Sequence, residues 1–122
     1  LVGGPKEVLG TFNLANNKLT NLLHSPQKVT ELIVYDNPLE SLEGIPSEIQ
    51  EVYLDENPTL PLLRTLVCKK EVNIIDAQTG EFLENDAMAV LNDPRWLGKG
   101  KLGAIPCAAA LIKAGFGGNA KW

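Results

Sequence analysis

One histidine and two cysteines, Cys68 and Cys107, are the only imidazole and thiol groups this chain of 122 residues offers to a metal, and they are scattered. His24 has no clustered cysteines beside it, so a zinc site is excluded. Two distant cysteines without a framework of others favour a reducing compartment, and a cytoplasmic setting in a bacterial cell or phage-infected host is expected. No apolar stretch is long enough to span a membrane. The opening LVGGPKEV lacks a charged segment followed by an apolar one, so it is no secretion signal; it starts within a repeat, as a piece of a longer protein would. Acidic side chains are absent after Asp93. Residues 1–93 carry six basic and fifteen acidic side chains, a net −9, whereas residues 94–122 carry Arg95, Lys99, Lys101, Lys113 and Lys121, a net +5. The overall −4 conceals a dipolar chain, whose tail could meet its own acidic part or a separate anionic partner.

What is present is repetition. Asn17, Asn37 and Asn57 recur every 20 residues, each closing an alternating apolar run. Three further columns share that phase: Phe12, Leu32, Val52 and Val72; Leu14, Val34, Leu54 and Ile74; Leu22, Leu42 and Leu62. Pro26 and Pro46 hold one place in the unit, and Pro5 stands one residue out of step, which predicts a one-residue bulge in the first unit. Ala77 occupies the position where a fourth asparagine would fall, so the array is expected to end there. A fixed period of this size means stacked units that present a surface more than they enclose a pocket.

Within the pattern LxxLxLxxNxL, Leu9, Phe12, Leu14, Asn17 and Leu19 fill one unit and Val29, Leu32, Val34, Asn37 and Leu39 the next; Ile49, Val52, Leu54 and Asn57 begin a third that departs at Thr59. These units resemble leucine-rich repeats. IPSEIQEVYLDENP is similar to the short proline-bearing repeats of bacterial secreted effectors, and LEGIPSEI and GGPKEVLGTFNLANNKLTNL are closer still to repeats that bacteriophages encode. The resemblance covers roughly residues 1–76. It implies an α+β solenoid, a short leucine-rich repeat array of about four units with a curved parallel sheet. Residues 77–122 lie outside the resemblance and are expected to form a helical C-terminal cap with a basic, glycine-rich tail. Some effectors carry a ubiquitin ligase after the array, with a Cys-x-Asp nucleophile; Cys68 precedes lysines and Cys107 alanines, so that enzyme is absent.

Physical reasons for the repeated residues are direct. Alternate apolar positions face one side of a strand, and successive parallel strands stack at about 4.8 Å. An asparagine after the strand can satisfy backbone groups of its own and neighbouring turns, so Asn17, Asn37 and Asn57 are scaffold and not ligand contacts. Twenty residues leave little room for a helix on the return arm, which is expected to be extended or 3₁₀. An exposed first unit would leave Leu9, Phe12 and Leu14 needing a cover.

Function then falls to the residues between the columns, on the concave sheet face: Thr30, Glu31, Ile33, Tyr35 and Asp36; Gln50, Glu51, Tyr53, Asp55 and Glu56; Lys70, Glu71, Asn73, Ile75 and Asp76. Seven carboxylates and one lysine share it, with Ile33, Tyr35, Tyr53 and Ile75 as anchors. Tyrosines ringed by acid suit a protein partner with a basic surface, and nucleic acid would be repelled there. The candidate contacts are Glu31, Ile33, Tyr35, Asp36, Glu51, Tyr53, Asp55, Glu56 and Glu71. The plain alternative is a solvated face. Asp55 and Glu56 as an acid–base pair or cation site lack a pocket, a nucleophile and a glycine-turned loop, so no catalytic residue, cofactor or metal is assigned.

In the last third, Phe82, Leu83, Ala87, Val90 and Leu91 fit one side of a helix ending near Asp93–Pro94, and a second helix is expected from about Ile105 to Ala114 with Gly115 as terminator. Both are expected to pack on the open end of the array. Gly98, Gly100 and Gly103 spell GxGxxG, but no strand leads into them and no acid follows, so a dinucleotide site is not expected. Arg95, Trp96, Lys99 and Lys101 interleave basic and aromatic side chains and are candidate tail contacts; weak binding to RNA, DNA or anionic lipid competes with a flexible extension or packing on the acidic domain. The function expected is a non-enzymatic protein-binding module of phage or bacterial origin. The alternative is a structural component of a virion or assembly anchored by its basic tail.

Overall fold

The computed structural model describes residues 7–23, 25–76, 78–82 and 86–122, with side chains from Gly10 onward. Pro5, the Leu9 side chain, His24, Ala77 and Leu83, all used above, lie outside what is described. Four parallel strands, β1 (Glu7–Asn13), β2 (Lys28–Ile33), β3 (Glu48–Asp55) and β4 (Cys68–Ile75), form one sheet in chain order, a solenoid-like arrangement of about three turns with few helices. Parallel strands need a crossover between them, and here each crossover is a single irregular return arm. The expected 3₁₀ conformation occurs on the last of these arms, at Leu63–Val67.

Register follows the 20-residue period: Leu32 pairs with Val52 and Val52 with Val72. Those three, with Leu22, Val34, Leu42 and Leu66, are wholly buried. The bulge expected in the first unit is present, because Val8 pairs with Val29 while Thr11 pairs with Glu31. One residue more therefore lies on β1 than on β2 between these pairs, and Gly10 there has φ +119°. It also corrects the unit alignment: Val8, not Leu9, stands beside Val29. A second register shift separates Cys68 from Glu71 on β4. Consecutive turns approach closely at Gly44, where φ is +92° and an added Cβ would lie 2.4 Å from the Leu22 carbonyl carbon.

The asparagines knit one turn to the next. Asn37 donates from Nδ2 to the Leu14 and Val34 carbonyls, 3.0 Å each, and its Oδ1 accepts from the Leu19 amide at 3.1 Å. Asn57 donates to Leu39 O at 3.1 Å. No asparagine stands at position 77 to serve the third turn, and Asn119 does so from far along the chain, donating to the carbonyls of Asn57 and Leu60 at 2.8 Å each.

After β4 the chain turns at Asp76, whose Oδ1 accepts from the Gln78 amide at 2.8 Å, and returns so that Phe82 bridges antiparallel to Ile75. Phe82 is thus not on a helix, contrary to the periodic reading. The helix α1 spans Asp86–Leu91. Just beyond it, Asn92 imitates a peptide group of a further strand: its Oδ1 accepts from the Val72 amide at 2.7 Å and its Nδ2 donates to the Val72 carbonyl at 2.8 Å. The outer edge of β4 is thereby satisfied at that residue. The second helix, α2 (Ala104–Lys113), matches the expected limits within a residue, and Gly115 follows it with φ +94°.

Candidate functional site

Register lines the candidate residues up in rows across the strands. Thr11, Glu31, Glu51 and Glu71 form one row; Asn13, Ile33, Tyr53 and Asn73 form the next. Neighbours in a row stand about 4.8 Å apart along the sheet, so three carboxylates are held side by side by backbone pairing alone.

Glu51 sits at the centre. Its carboxylate accepts from the Tyr53 hydroxyl at 3.0 Å and lies 3.5 Å from Lys70 Nζ. Glu31 accepts from Thr11 Oγ1 at 3.4 Å. Lys70 is largely exposed, so its ion pair contributes little to stability and leaves the row acidic. Burial first, then the hydrogen bond and negative charge of Glu51 and the charge of Glu31, push the Tyr53 hydroxyl up to about 12. A neutral phenol is favoured in the fold, so stability from this group is complete below pH 10 and is lost as pH rises from 10 through 12. In a Tyr35→Phe background, phenolate absorbance should report this late titration, and Glu51→Gln should move it back toward 10 without reaching it.

Several candidates are less available than the alternation implied. Asp55 Oδ2 accepts from the Asp36 amide at 3.0 Å, holding Asp36 in a left-handed conformation with φ +58°, so Asp55 is partly committed to the turn. Asn73 and Ile75, expected to be outward, are 2% and 5% exposed. The returning chain pairs Phe82 beside Ile75, and Asn73 turns its Nδ2 back onto the Val52 carbonyl at 3.4 Å. The Phe82 ring stands 6.4 Å from that of Tyr53 and is itself 57% exposed. Phe82 therefore takes the place of Ile75 as an accessible anchor. The Thr79–Gly80 pair after a strand was the signal for this turn, with Gly80 at φ +75°. Glu31, Ile33, Tyr35, Glu51 and Tyr53 are half-buried on the face, and Asp36, Glu56 and Glu71 are exposed.

A cleft of about 470 Å³ beyond the strand ends is lined by Asn16, Asn17, Asp36, Asn37, Pro38 and Asp55. Its walls include Asn37 and Asp55, whose polar groups hold backbone, and among the described residues no lysine or arginine lines it. Among the described residues no group of three or more His, Cys, Asp and Glu is placed to hold a metal. Burial pushes the Cys68 thiol up to about 12, with the charge of Glu51 adding to it, and the Cys107 thiol up to about 11, with the charge of Asp93 adding. Neither is poised as a nucleophile.

The tail candidates divide. Trp96 is 4% exposed, donates from Nε1 to the Val90 carbonyl at 2.7 Å and packs against Gly103, so it belongs to the core and not to a binding surface. Arg95 is tied to Asp93 by Nε and Nη2, the latter at 2.7 Å, which holds the Asp93 carboxyl below its usual range. Lys99 and Lys101 are exposed, and Lys101 lies 5.8 Å from the Trp122 ring, which Arg64 also approaches at 5.4 Å. Each glycine of GxGxxG has a local reason: Gly98 and Gly100 have positive φ, and Gly103 faces Trp96 where a Cβ would come within 2.6 Å of its Cβ. Periodicity within the tail passed over Leu102, Ile105 and Ile112, which are 90%, 84% and 61% exposed on α2 and the turn before it. No helix among the described residues is long and apolar enough to cross a membrane. No known protein family, curated protein or solved structure matches the chain.

Proposed function

We propose that the chain is a non-enzymatic protein-binding module, a short leucine-rich repeat array ended by its C-terminal helices and encoded by a phage or bacterium, which grips a basic partner surface on its acidic sheet face. The observation that carries this reading is the row of Glu31, Glu51 and Glu71, set side by side by strand register next to Ile33, Tyr53 and Phe82. An aromatic pair within a field of one charge combines an apolar anchor with long-range steering of a cationic partner. Scaffold and surface are separate here, because the core columns face away from this row. The glutamates of this row can therefore vary without disturbing the core.

The test is affinity capture from bacterial lysate with wild-type chain and with Tyr35→Ala/Tyr53→Ala. The double variant should keep its circular dichroism spectrum and lose the captured protein by roughly 30-fold or more, the scale of an aromatic hot spot. Equal capture by both would sink the assignment. A structural component of an assembly is the second reading, favoured by the exposed apolar side chains of Leu102, Ile105 and Ile112 in the basic tail.

A further inference from the structure

The tail presents a surface opposite in character to the sheet face. Leu102, Ile105 and Ile112 fall at spacings of three and seven, so they share one side of α2 and the turn leading into it. All three are strongly exposed, and Lys99, Lys101 and Lys113 are exposed around them. Two large aliphatic side chains on α2 and one on the turn before it form an exposed apolar patch of the kind that marks an interaction site.

Within one chain the two surfaces do not neutralise each other. The ion pairs among the described residues are Lys28 with Glu48, Lys70 with Glu51 and Arg95 with Asp93, and none joins a tail lysine to the sheet face. Their dimensions agree. Ten residues of helix extend about 15 Å, and four strands span about 14 Å from first to last. An α2 laid across the strands would cover the row of three glutamates from end to end.

We propose that the exposed side of α2 docks on the acidic sheet face of a second copy of this chain, lysines against Glu31, Glu51 and Glu71, and isoleucines against Ile33, Tyr53 and Phe82. This rests on the sheet face being a binding surface and names its partner. The contact is heterologous, since each copy offers a helix at one place and a sheet at another, so association continues from copy to copy unless the rotation closes a ring. A patch of aliphatic side chains flanked by lysines also suits an anionic bilayer. The net −9 of residues 1–93 would be repelled from such a surface, which favours the second copy.

Sedimentation velocity on the wild-type chain at rising concentration and low salt should show a growing series of oligomers. Salt of about 1 M, where the screening length falls to about 3 Å, should return it to monomer. Ile105→Asp/Ile112→Asp, altered only at exposed positions, should be monomeric throughout. The decisive arm pairs Lys99→Glu/Lys101→Glu/Lys113→Glu with Glu31→Lys/Glu71→Lys: each alone stays monomeric, and the mixture associates. A wild-type chain that is monomeric at every concentration overturns the proposal, as does association that survives both salt and lysine reversal. Monomer in solution together with α2-dependent binding to phosphatidylserine vesicles replaces it with a membrane contact. Tyr53-dependent capture of another basic protein by a monomeric chain would leave the sheet-face reading standing and remove the second copy alone.

Discussion

Replacing Asn37 by alanine is expected to destabilise the fold by about 3 kcal/mol and to lower the melting temperature by roughly 10 °C. Asn37 is 9% exposed, and its amide serves two turns at once. Without it the Leu14 carbonyl keeps Asn17 as a donor at 2.8 Å, but the Val34 carbonyl loses its partner in a buried setting and the Leu19 amide in a half-buried one. Each such group costs about 1–3 kcal/mol. The comparison is Asn17→Ala, since Asn17 is exposed and bonds only within its own turn, so a loss of about 1 kcal/mol or less is expected. Urea midpoints for the two variants decide the matter. Equal losses would mean that the bonds between turns contribute nothing beyond the local turn.

Trp96→Ala is expected to be the most damaging single change, about 3–5 kcal/mol, because it empties the largest side chain in the C-terminal core and takes the indole donor from the Val90 carbonyl, which keeps only the Asp93 amide at 3.2 Å. Trp96→Phe keeps most of the volume and loses the N–H bond alone, so about 1–2 kcal/mol is expected. Trypsin offers a second readout: sites after Lys99 and Lys101 should be cut far faster in Trp96→Ala than in wild type. A tail that merely extended into solvent would show no difference between alanine, phenylalanine and tryptophan.

The repeat columns were legible because strand alternation and a fixed period leave marks at short range. Leu32, Val52 and Val72 could be placed in the core from spacing, and even the out-of-step proline located the bulge that Val8 and Thr11 display. The fourth unit was less legible. Its apolar positions kept the phase, but the fate of Ile75 depends on a turn at Asp76–Glu81 that brings Phe82 back beside it, and alternation within one strand carries no information about what lands on it. Trp96 was misplaced for a similar reason. A tryptophan among arginine and lysines has the composition of a surface, whereas its partner Gly103 and its acceptor Val90 come from either side in sequence. Asn119 shows the limit most plainly, since it bonds Leu60 across 59 residues and nothing local distinguishes it from a loop asparagine.

The asparagine that satisfies the outer edge of β4 also sets a timetable. β4 ends at Ile75, and Asn92 follows 17 residues later. At ribosomal speeds of about 5–20 residues per second, the interval from the end of β4 to Asn92 lasts about 1–3 s. During that time the newest strand shows unpaired backbone groups at its rim and can recruit a strand from a neighbouring nascent chain. Closely spaced ribosomes on one message would raise that hazard, and slower translation between the codons for Ile75 and Asn92 would lengthen it.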